Sequence, residues 1–334
     1  MAEPLKIGIV GLGGIGNTHA GVYMNDPLAE IVAVCDILPE RADKAGKAYN
    51  AKVFYSVQEM LDSGIKLDAC SMCTAGKENG GDHYKPTMEL LAAGIPTLGE
   101  KPISNELDKA KEMVALAKEK NVPYAIDLNH RFTPAALRAK EWITNGRLGQ
   151  LHMMNMTMWI NNPNESSPWF HLRALHPHSF DVIRYFMGDV VSVQSFLNKG
   201  KGRTIWSNAQ VNLLFASGAV GHLTGSYDAG GSFGLERAEI VGSEGLVLID
   251  DACEVLTFKD RRSIQSETYN YLGGMRSFGE TFQFRIHDWL EQLVAGVKPE
   301  DVNASGADGL KVQTIIEAAI KSWNEKKIVD IVDM

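Results

Sequence analysis

The chain reads as α/β, on three observations. An apolar strand at 5–10 runs straight into a glycine-rich turn and a helix. Strands and helices then alternate to residue 126. Beyond about residue 146 that alternation gives way to consecutive β-prone stretches joined by turn residues. The expected architecture is a doubly wound parallel-sheet domain over 1–126, followed by an α+β domain over 127–334 with a large, mostly antiparallel open sheet. The C-terminal helix is expected to pack back on the first domain. A length of 334 residues suits two domains.

The elements follow in order. Strands are expected at 5–10, 31–35, 52–55, 67–74, 95–98 and 123–126, and helices at 15–25, 39–49, 57–63, 83–93 and 105–120. Apolar runs such as Ala69-Cys70-Ser71-Met72-Cys73 do not alternate, as befits strands buried on both faces of a parallel sheet. The 105–120 segment carries Leu107, Ala110, Met113, Val114 and Ala117 at helical spacing, with acids early and lysines late, as the helix dipole favours. After a helix at 133–146, strands are expected at 149–160, 190–198, 207–216, 219–228, 235–241, 245–250 and 253–259. Their joints are turn-like: Ala216-Ser217-Gly218, Gly242-Ser243-Glu244-Gly245 and Asp250-Asp251. One helix interrupts them at 177–187, with Pro177 in its first turn. Helices return at 276–296 and 307–325.

The turn after the first strand reads Gly11-Leu12-Gly13-Gly14-Ile15-Gly16, and Asp36 closes the next apolar strand twenty residues after Gly16. This is the pattern of a Rossmann dinucleotide pocket. Gly11 permits the tight turn, Gly13 lets a pyrophosphate approach the backbone, and Gly16 lets the helix pack close to the strand. The helix start, through Gly14 and Ile15, offers unpaired amides and the positive end of a dipole to the phosphates. Asp36 can accept both ribose hydroxyls and would repel a 2′-phosphate, and Ile37 and Leu38 bring no cation, so NAD is expected over NADP. Arg41 could reach back to such a phosphate.

Bulk properties narrow the field. Net charge is −8 and no Lys/Arg cluster is long enough to follow a phosphate backbone, so no nucleic-acid partner is expected. No apolar run approaches the ~20 residues that span a bilayer, and the first strand begins too early for a signal peptide. A cytoplasmic protein without a membrane partner is expected. Four cysteines fit a reducing compartment. Cys70 and Cys73 form a CxxC inside a strand, where positions i and i+3 point to opposite faces, so core packing is expected of them. No His/Cys/Asp/Glu set shows metal spacing, and no metal is expected.

At Gly99-Glu100-Lys101-Pro102 the reading narrows further. Taken with Gly11, Gly13, Gly16, Asp36, Thr74, His83, Asn129-His130-Arg131-Phe132, His178-Ser179-Phe180-Asp181, Arg184-Tyr185 and Gly188, the chain resembles the Gfo/Idh/MocA oxidoreductases over nearly its whole length. These are glucose–fructose oxidoreductase, inositol dehydrogenase and their relatives. The resemblance implies an NAD-dependent enzyme moving hydride between nicotinamide and a hydroxyl carbon of a sugar, sugar derivative or cyclitol. It also implies a homodimer or homotetramer built through the C-terminal sheet. A bottom-up argument for Lys101 stands beside it. Lys101 follows a strand end, where ligands bind in open α/β sheets. Pro102 holds Lys101 extended and admits a cis bond. The ammonium could then polarise a substrate oxygen, with Glu100 holding it in place. Thr74 and His83 are expected near the cofactor.

His178 is the candidate acid/base, since an imidazole titrates near neutrality. The family commonly has an aspartate four residues earlier; here that residue is Ala174. Three accounts stand: His176 assists His178; Asp181 orients it from one helical turn on; or the usual relay is not used. The segment Trp159–Arg173 mixes aromatic faces with polar donors, a composition suited to polyols. Asn129, Arg131, Trp159, Asn161, Trp169, Arg173, His176, His178 and Lys101 are the candidate substrate contacts. Two further readings are carried: a glycoside-cleaving enzyme that keeps its NAD and oxidises transiently, and a non-catalytic nucleotide-sensing regulator.

Overall fold

The computed structural model describes residues 3–229, 235–250, 254–269 and 278–334. They form two compact units, Met1–Leu128 with Phe282–Lys311, and Asn129–Thr281 with Val312–Met334.

In the first unit the elements are β1 (Leu5–Val10), α1 (Gly14–Asn25), β2 (Ala29–Cys35), α2 (Pro39–Tyr49), β3 (Lys52–Phe54), α3 (Val57–Asp62), β4 (Ala69–Met72), α4 (Tyr84–Ala92), β5 (Thr97–Gly99), α5 (Leu107–Glu119) and β6 (Tyr124–Ile126). The sheet order is β3-β2-β1-β4-β5-β6, with every pair parallel. The order reverses between β1 and β4, the crevice where open α/β sheets take ligands. Apolar side chains fill both faces: Ile7, Ile9, Cys70, Met72 and Leu98 are wholly buried, which is why these strands read as continuous apolar runs. Gly8 is required here, because a Cβ would sit 2.8 Å from the sulfur of Cys70. Both cysteines of the CxxC are buried free thiols.

The second unit begins with α6 (Pro134–Thr144), β7 (Leu151–Trp159) and α7 (Phe170–Met187). It continues with β8 (Val190–Asn198), β9 (Asn208–Phe215), β10 (Val220–Ser226), β11 (Leu235–Gly242), β12 (Leu246–Asp250), β13 (Val255–Lys259) and β14 (Ile264–Thr268). After α8 (Phe278–Val294) and α9 (Gly306–Glu325) comes β15 (Val329–Asp330). The unit boundaries fall inside α8 and α9. The strands order as β14-β13-β12-β11-β7-β10-β9-β8-β15. Neighbours are antiparallel apart from β7 and β10. On β7 the even positions Met154, Met156 and Met158 are buried, while Met153 is 42% exposed. That is the period of a sheet covered on one face.

Three expectations need correction. The helix expected to start at Pro177 starts at Phe170 and carries Pro177 in its interior. Proline there removes a hydrogen bond at a cost of about 3 kcal/mol. The added turns bury Phe170, Leu172 and Leu175, each worth roughly 1.5–3 kcal/mol, so burial wins. Strands β14 and β15 were not anticipated: β14 alternates exposed and half-buried residues, and β15 is two residues long. Of the other boundaries, Cys253, residues 276–277 and Asp251 lie outside the described residues.

Ile9→Ala opens a cavity in the centre of the parallel sheet, and we expect a loss of about 2–5 kcal/mol in urea unfolding, with the far-ultraviolet spectrum unchanged.

Candidate functional site

In the first unit the glycine turn behaves as the chemistry requires. Gly11 has a φ of +88°, and a Cβ there would lie 2.5 Å from the Thr74 amide nitrogen. A Cβ at Gly16 would lie 1.9 Å from the Gly11 carbonyl oxygen. At Gly13 and Gly14, in contrast, the protein leaves room: nothing closer than 3.9 Å meets the first, and nothing within 4 Å the second. So Gly11 and Gly16 are demanded by the fold, and the surface over Gly13–Gly14 stays open for a ligand. The group nearest Gly13 is the Arg41 guanidinium. Gly13 is the N-cap of α1, which has neither a side-chain cap nor an acid in its first turn. Its amides and dipole therefore suit a phosphate. Ile15 is 40% exposed beside them. The Asp36 carboxylate is buried beside the turn, where it accepts from the Leu12 amide at 2.7 Å and the Leu38 amide at 2.9 Å. The residues present fit a dinucleotide.

Beyond β5 lies the Glu100-Lys101-Pro102 turn, with a cis Lys101–Pro102 bond. It is braced from two sides. The His83 ring lies 2.8 Å from the Pro102 carbonyl oxygen and 2.9 Å from that of Thr74. Burial pushes His83 below the usual histidine range, although both carbonyls favour its charged form and Lys101 opposes it. A neutral ring donates to one carbonyl at a time. On the other side, Glu100 accepts from the Lys101 amide at 3.2 Å, and its second oxygen meets His19 Nε2 at 3.1 Å. The same nitrogen lies 3.3 Å from Asp127, and His19 Nδ1 lies 3.1 Å from the Ser71 hydroxyl. Ligand atoms of His19, Glu100 and Asp127 all fall within 4.8 Å of one another, and the two His19 contacts, at 3.1 and 3.3 Å, are of hydrogen-bond length. Burial alone would push His19 down, but the Cys73 sulfur and the Asp127 and Glu100 carboxylates outweigh it and hold the ring well above an ordinary histidine. Burial raises Glu100, and His19 offsets this in part. Asp127 is held below its usual range: burial opposes ionisation, and the His19 bond and charge overcome it.

In the second unit α7 carries the histidines. His178 is buried and stacks on His130, ring centroids 4.1 Å apart and planes 25° apart. His130 Nδ1 lies 2.7 Å from Glu236. Arg131 grips Asp181 with two nitrogens, Nε donating at 2.7 Å and Nη2 to the other oxygen. Asp181 thus serves Arg131. His176 is wholly buried, with Nε2 2.9 Å from His171 Nε2 and Nδ1 3.0 Å from Ser179. Burial pushes His171 down to about 3, and burial with the neighbouring ring pushes His176 well below the usual range. Gly225 makes room for the pair, since a Cβ there would sit 2.1 Å from His176 Nε2. Ala174 packs against an apolar cluster of Met158, Phe170, Leu175, Ile205 and Tyr227.

The remaining candidates are spread out. Asn129 is wholly buried and donates to Thr281 at 2.6 Å. Arg173 pairs with Glu317 through two bonds of 2.9 Å. Trp169 stacks on Trp206 at 6.1 Å. Asn161 is exposed. Met158 meets Ser179 of α7, so Trp159, one residue on, faces the other side of the sheet. There it lines a cavity of about 360 Å³ with Phe196, Asn208, Gln210 and Thr224. Sequence reasoning missed His19, Asp127 and Glu236. His19 stands three residues after Gly16, one helical turn inside α1, and Asp127 stands just past a strand end. Both placements were readable signals; Glu236, at the start of an alternating strand, gave none.

Residues 5–128 match the model of an oxidoreductase family with an NAD-binding Rossmann fold, and residues 136–248 match the Gfo/Idh/MocA C-terminal domain. The chain belongs to the Gfo/Idh/MocA oxidoreductases. Among relatives, inositol 2-dehydrogenase of Rhizobium meliloti is 25% identical over 98% of this chain and 99% of its own. An oxidoreductase from Agrobacterium radiobacter, solved with NAD+, L-tartaric acid and magnesium, superposes with a TM-score of 0.88 at 20% identity over the whole of both chains. Levoglucosan dehydrogenase with NADH gives 0.86 at 22% identity over 98% of this chain and 99% of that one. These two structures share the fold. The matched N-terminal model is that of an NAD-binding Rossmann domain, and the glycine turn of this chain lies within the matched residues. Among the described residues no helix is long and apolar enough to cross a membrane.

Two variants separate the glycines' roles. Gly16→Ala is expected to lower the melting temperature and abolish NAD binding in a fluorescence titration, because its Cβ cannot coexist with the Gly11 carbonyl. Gly225→Ala is expected to lower the melting temperature while leaving NAD affinity within about twofold, about 0.4 kcal/mol.

Proposed function

We propose that this protein is an NAD-dependent dehydrogenase acting at a hydroxyl-bearing carbon of a sugar, sugar derivative or cyclitol, with Lys101 and His178 as its working groups. The observation that carries the reading is the Lys101 turn itself. A lysine stands beyond β5, in the unit that presents the open glycine turn, and its backbone neighbours are fixed by Glu100 and His83. The names of the family's relatives support the substrate class.

NAD, when bound, supplies the hydride acceptor or donor, held by the α1 amides, Asp36, Thr74 and their neighbours. The chain's own groups do the rest. Lys101 donates a hydrogen bond to the reacting oxygen and steadies its developing negative charge. His178 takes the hydroxyl proton or returns it. Its ring plane is set by the stack on His130, which Glu236 grips. Arg131, held by Asp181, is a polar contact for substrate. His176 receives a packing role, since both its ring nitrogens are already bonded. Asn161, Trp169 and Arg173 remain candidates for recognising the rest of the polyol.

The apolar setting of Ala174 favours keeping one second reading, a glycosidic cleavage with transient oxidation. We also propose self-association, as a homodimer or homotetramer, through the outer face of the nine-stranded sheet. Met153, Phe196, Leu214 and Val220 present apolar side chains on that face, 42%, 59%, 41% and 51% exposed, and neighbouring exposed apolar side chains suit an association surface.

The tests are direct. With NAD and a panel of free sugars, glycosides and inositols, nicotinamide absorbance should rise for at least one member; aglycone release without net NADH would instead select the second reading. Lys101→Ala is expected to lower kcat by a factor of 10² or more, roughly 2.7 kcal/mol, with NAD affinity within about twofold, about 0.4 kcal/mol. Full turnover in that variant would remove Lys101 from the mechanism. Light scattering coupled to gel filtration should give a mass above that of one chain.

A further inference from the structure

We propose that His19 is a positioning residue for Lys101: seated on α1, it fixes the Glu100 carboxylate whose second oxygen holds the Lys101 backbone amide. The inference rests on the reading of Lys101 given above. It deepens that reading by tying the Lys101 turn to the helix that meets the dinucleotide.

The geometry is a chain of short contacts inside one unit. His19 lies one turn inside α1 and is wholly buried. Its Nε2 reaches one Glu100 oxygen at 3.1 Å and Asp127 at 3.3 Å. Its Nδ1 reaches the Ser71 hydroxyl at 3.1 Å, and Ser71 in turn lies 2.8 Å from the Tyr23 hydroxyl. One imidazole therefore ties α1 to the strand β4 and to the turns after β5 and β6. The other Glu100 oxygen accepts from the Lys101 amide at 3.2 Å. The Phe282 ring meets His19 in a T-shaped contact, centroids 5.6 Å apart.

The electrostatics decide why the residue is a histidine. Glu100 and Asp127 are 6% and 1% exposed, and two buried carboxylates side by side repel unless a cation separates them. Arg285 favours the ionised form of Asp127 from α8, while donating at 3.1 Å to the Ile126 carbonyl. Glu100 has Lys101 next to it in sequence, but Lys101 is the group required at the substrate. His19, held well above an ordinary histidine by Cys73, Asp127 and Glu100, supplies the missing charge from beneath. With that charge in place, Glu100 holds a single orientation and the Lys101 backbone has a fixed anchor. Without it, Glu100 turns to the Lys101 ammonium, the next cation acting on it among the described residues, and withdraws it from substrate.

The test uses the full-length protein with two readouts. In His19→Gln, hydrogen exchange at the Lys101 amide should speed up at least tenfold relative to the Ile9 amide in β1, which reports on the unit as a whole. In steady-state assays kcat should fall at least tenfold, with the KM for NAD and for substrate within threefold, the signature of a group misplaced after binding. Glu100→Asp, which keeps the charge balance but shortens the reach by one methylene, should give the same selective pattern. It stands in should His19→Gln fold poorly. Unchanged exchange and kcat in both variants overturn the inference. So does a parallel loss at Lys101 and Ile9 with kcat and KM moving together, which would mark a merely structural role. Lys101→Ala is run alongside. An inactive Lys101→Ala beside a fully active His19→Gln overturns the inference alone, whereas a fully active Lys101→Ala overturns the Lys101 reading and the inference with it.

Discussion

A charge taken out of water must find an opposite charge or be given up, and this constraint governs both units. Leaving one buried ion without its partner costs about 3–5 kcal/mol, a sizeable part of a typical unit's whole stability. The chain meets the constraint with compact ionic groups. In the first unit His19 stands between Glu100 and Asp127. In the second, Arg131 and Asp181 are matched across two bonds, and the buried Glu236 carboxylate lies within hydrogen-bond distance of a His130 ring nitrogen. These groups lie beside the very residues that carry the proposed chemistry. Lys101 follows Glu100 directly, His130 and Arg131 are adjacent, and His178 shares a helix with Asp181. Satisfying the buried charge therefore also anchors the Lys101 backbone amide and the His130 ring that stacks on His178.

Close backbone approach is the second organising device, and it concentrates where glycine stands. Gly11 and Gly16 let α1 come against β1 and the end of β4, so the uncapped amides at the start of α1 are fixed relative to the strand ends. Gly225 plays a corresponding part in the other unit, where the absent side chain is replaced by the ring of His176. That ring, with His171, fills the space between α7 and β10 as a neutral pair. Buried imidazoles in such numbers would be costly if charged; as a neutral donor and acceptor they satisfy each other.

Much of this is legible in the sequence. The parallel strands announced themselves because they are apolar on both faces, and the boundaries of α2 (39–49) and β8 (190–198) agree with expectation to the residue. The glycine turn, Asp36 and the Glu-Lys-Pro turn were readable because each chemistry needs a particular residue at a particular spacing. What escaped notice depended on tertiary context. Pro177 looked like a helix start, since local rules cannot see that Phe170, Leu172 and Leu175 will be buried. Trp159 read as part of a polyol loop, yet strand alternation places it opposite Met158, on the face away from α7. The partner of His130 lies 106 residues further on, at the start of a strand with nothing in its local pattern to mark it.

The course of the chain carries a practical consequence. Each unit is assembled from two stretches, and the second stretch of both comes from the last quarter of the polypeptide. Residues 282–311 complete one, and residues 312–334 complete the other, down to the short strand β15 that pairs with β8. A ribosome has therefore released most of the polypeptide before either half can close. No single proteolytic nick or truncation can liberate one half intact: cutting after residue 128 strips the first of Arg285 and its neighbours, and leaves the second bearing a foreign hairpin of helix. Isolating either half calls for excision and rejoining at two places, not for a shorter gene.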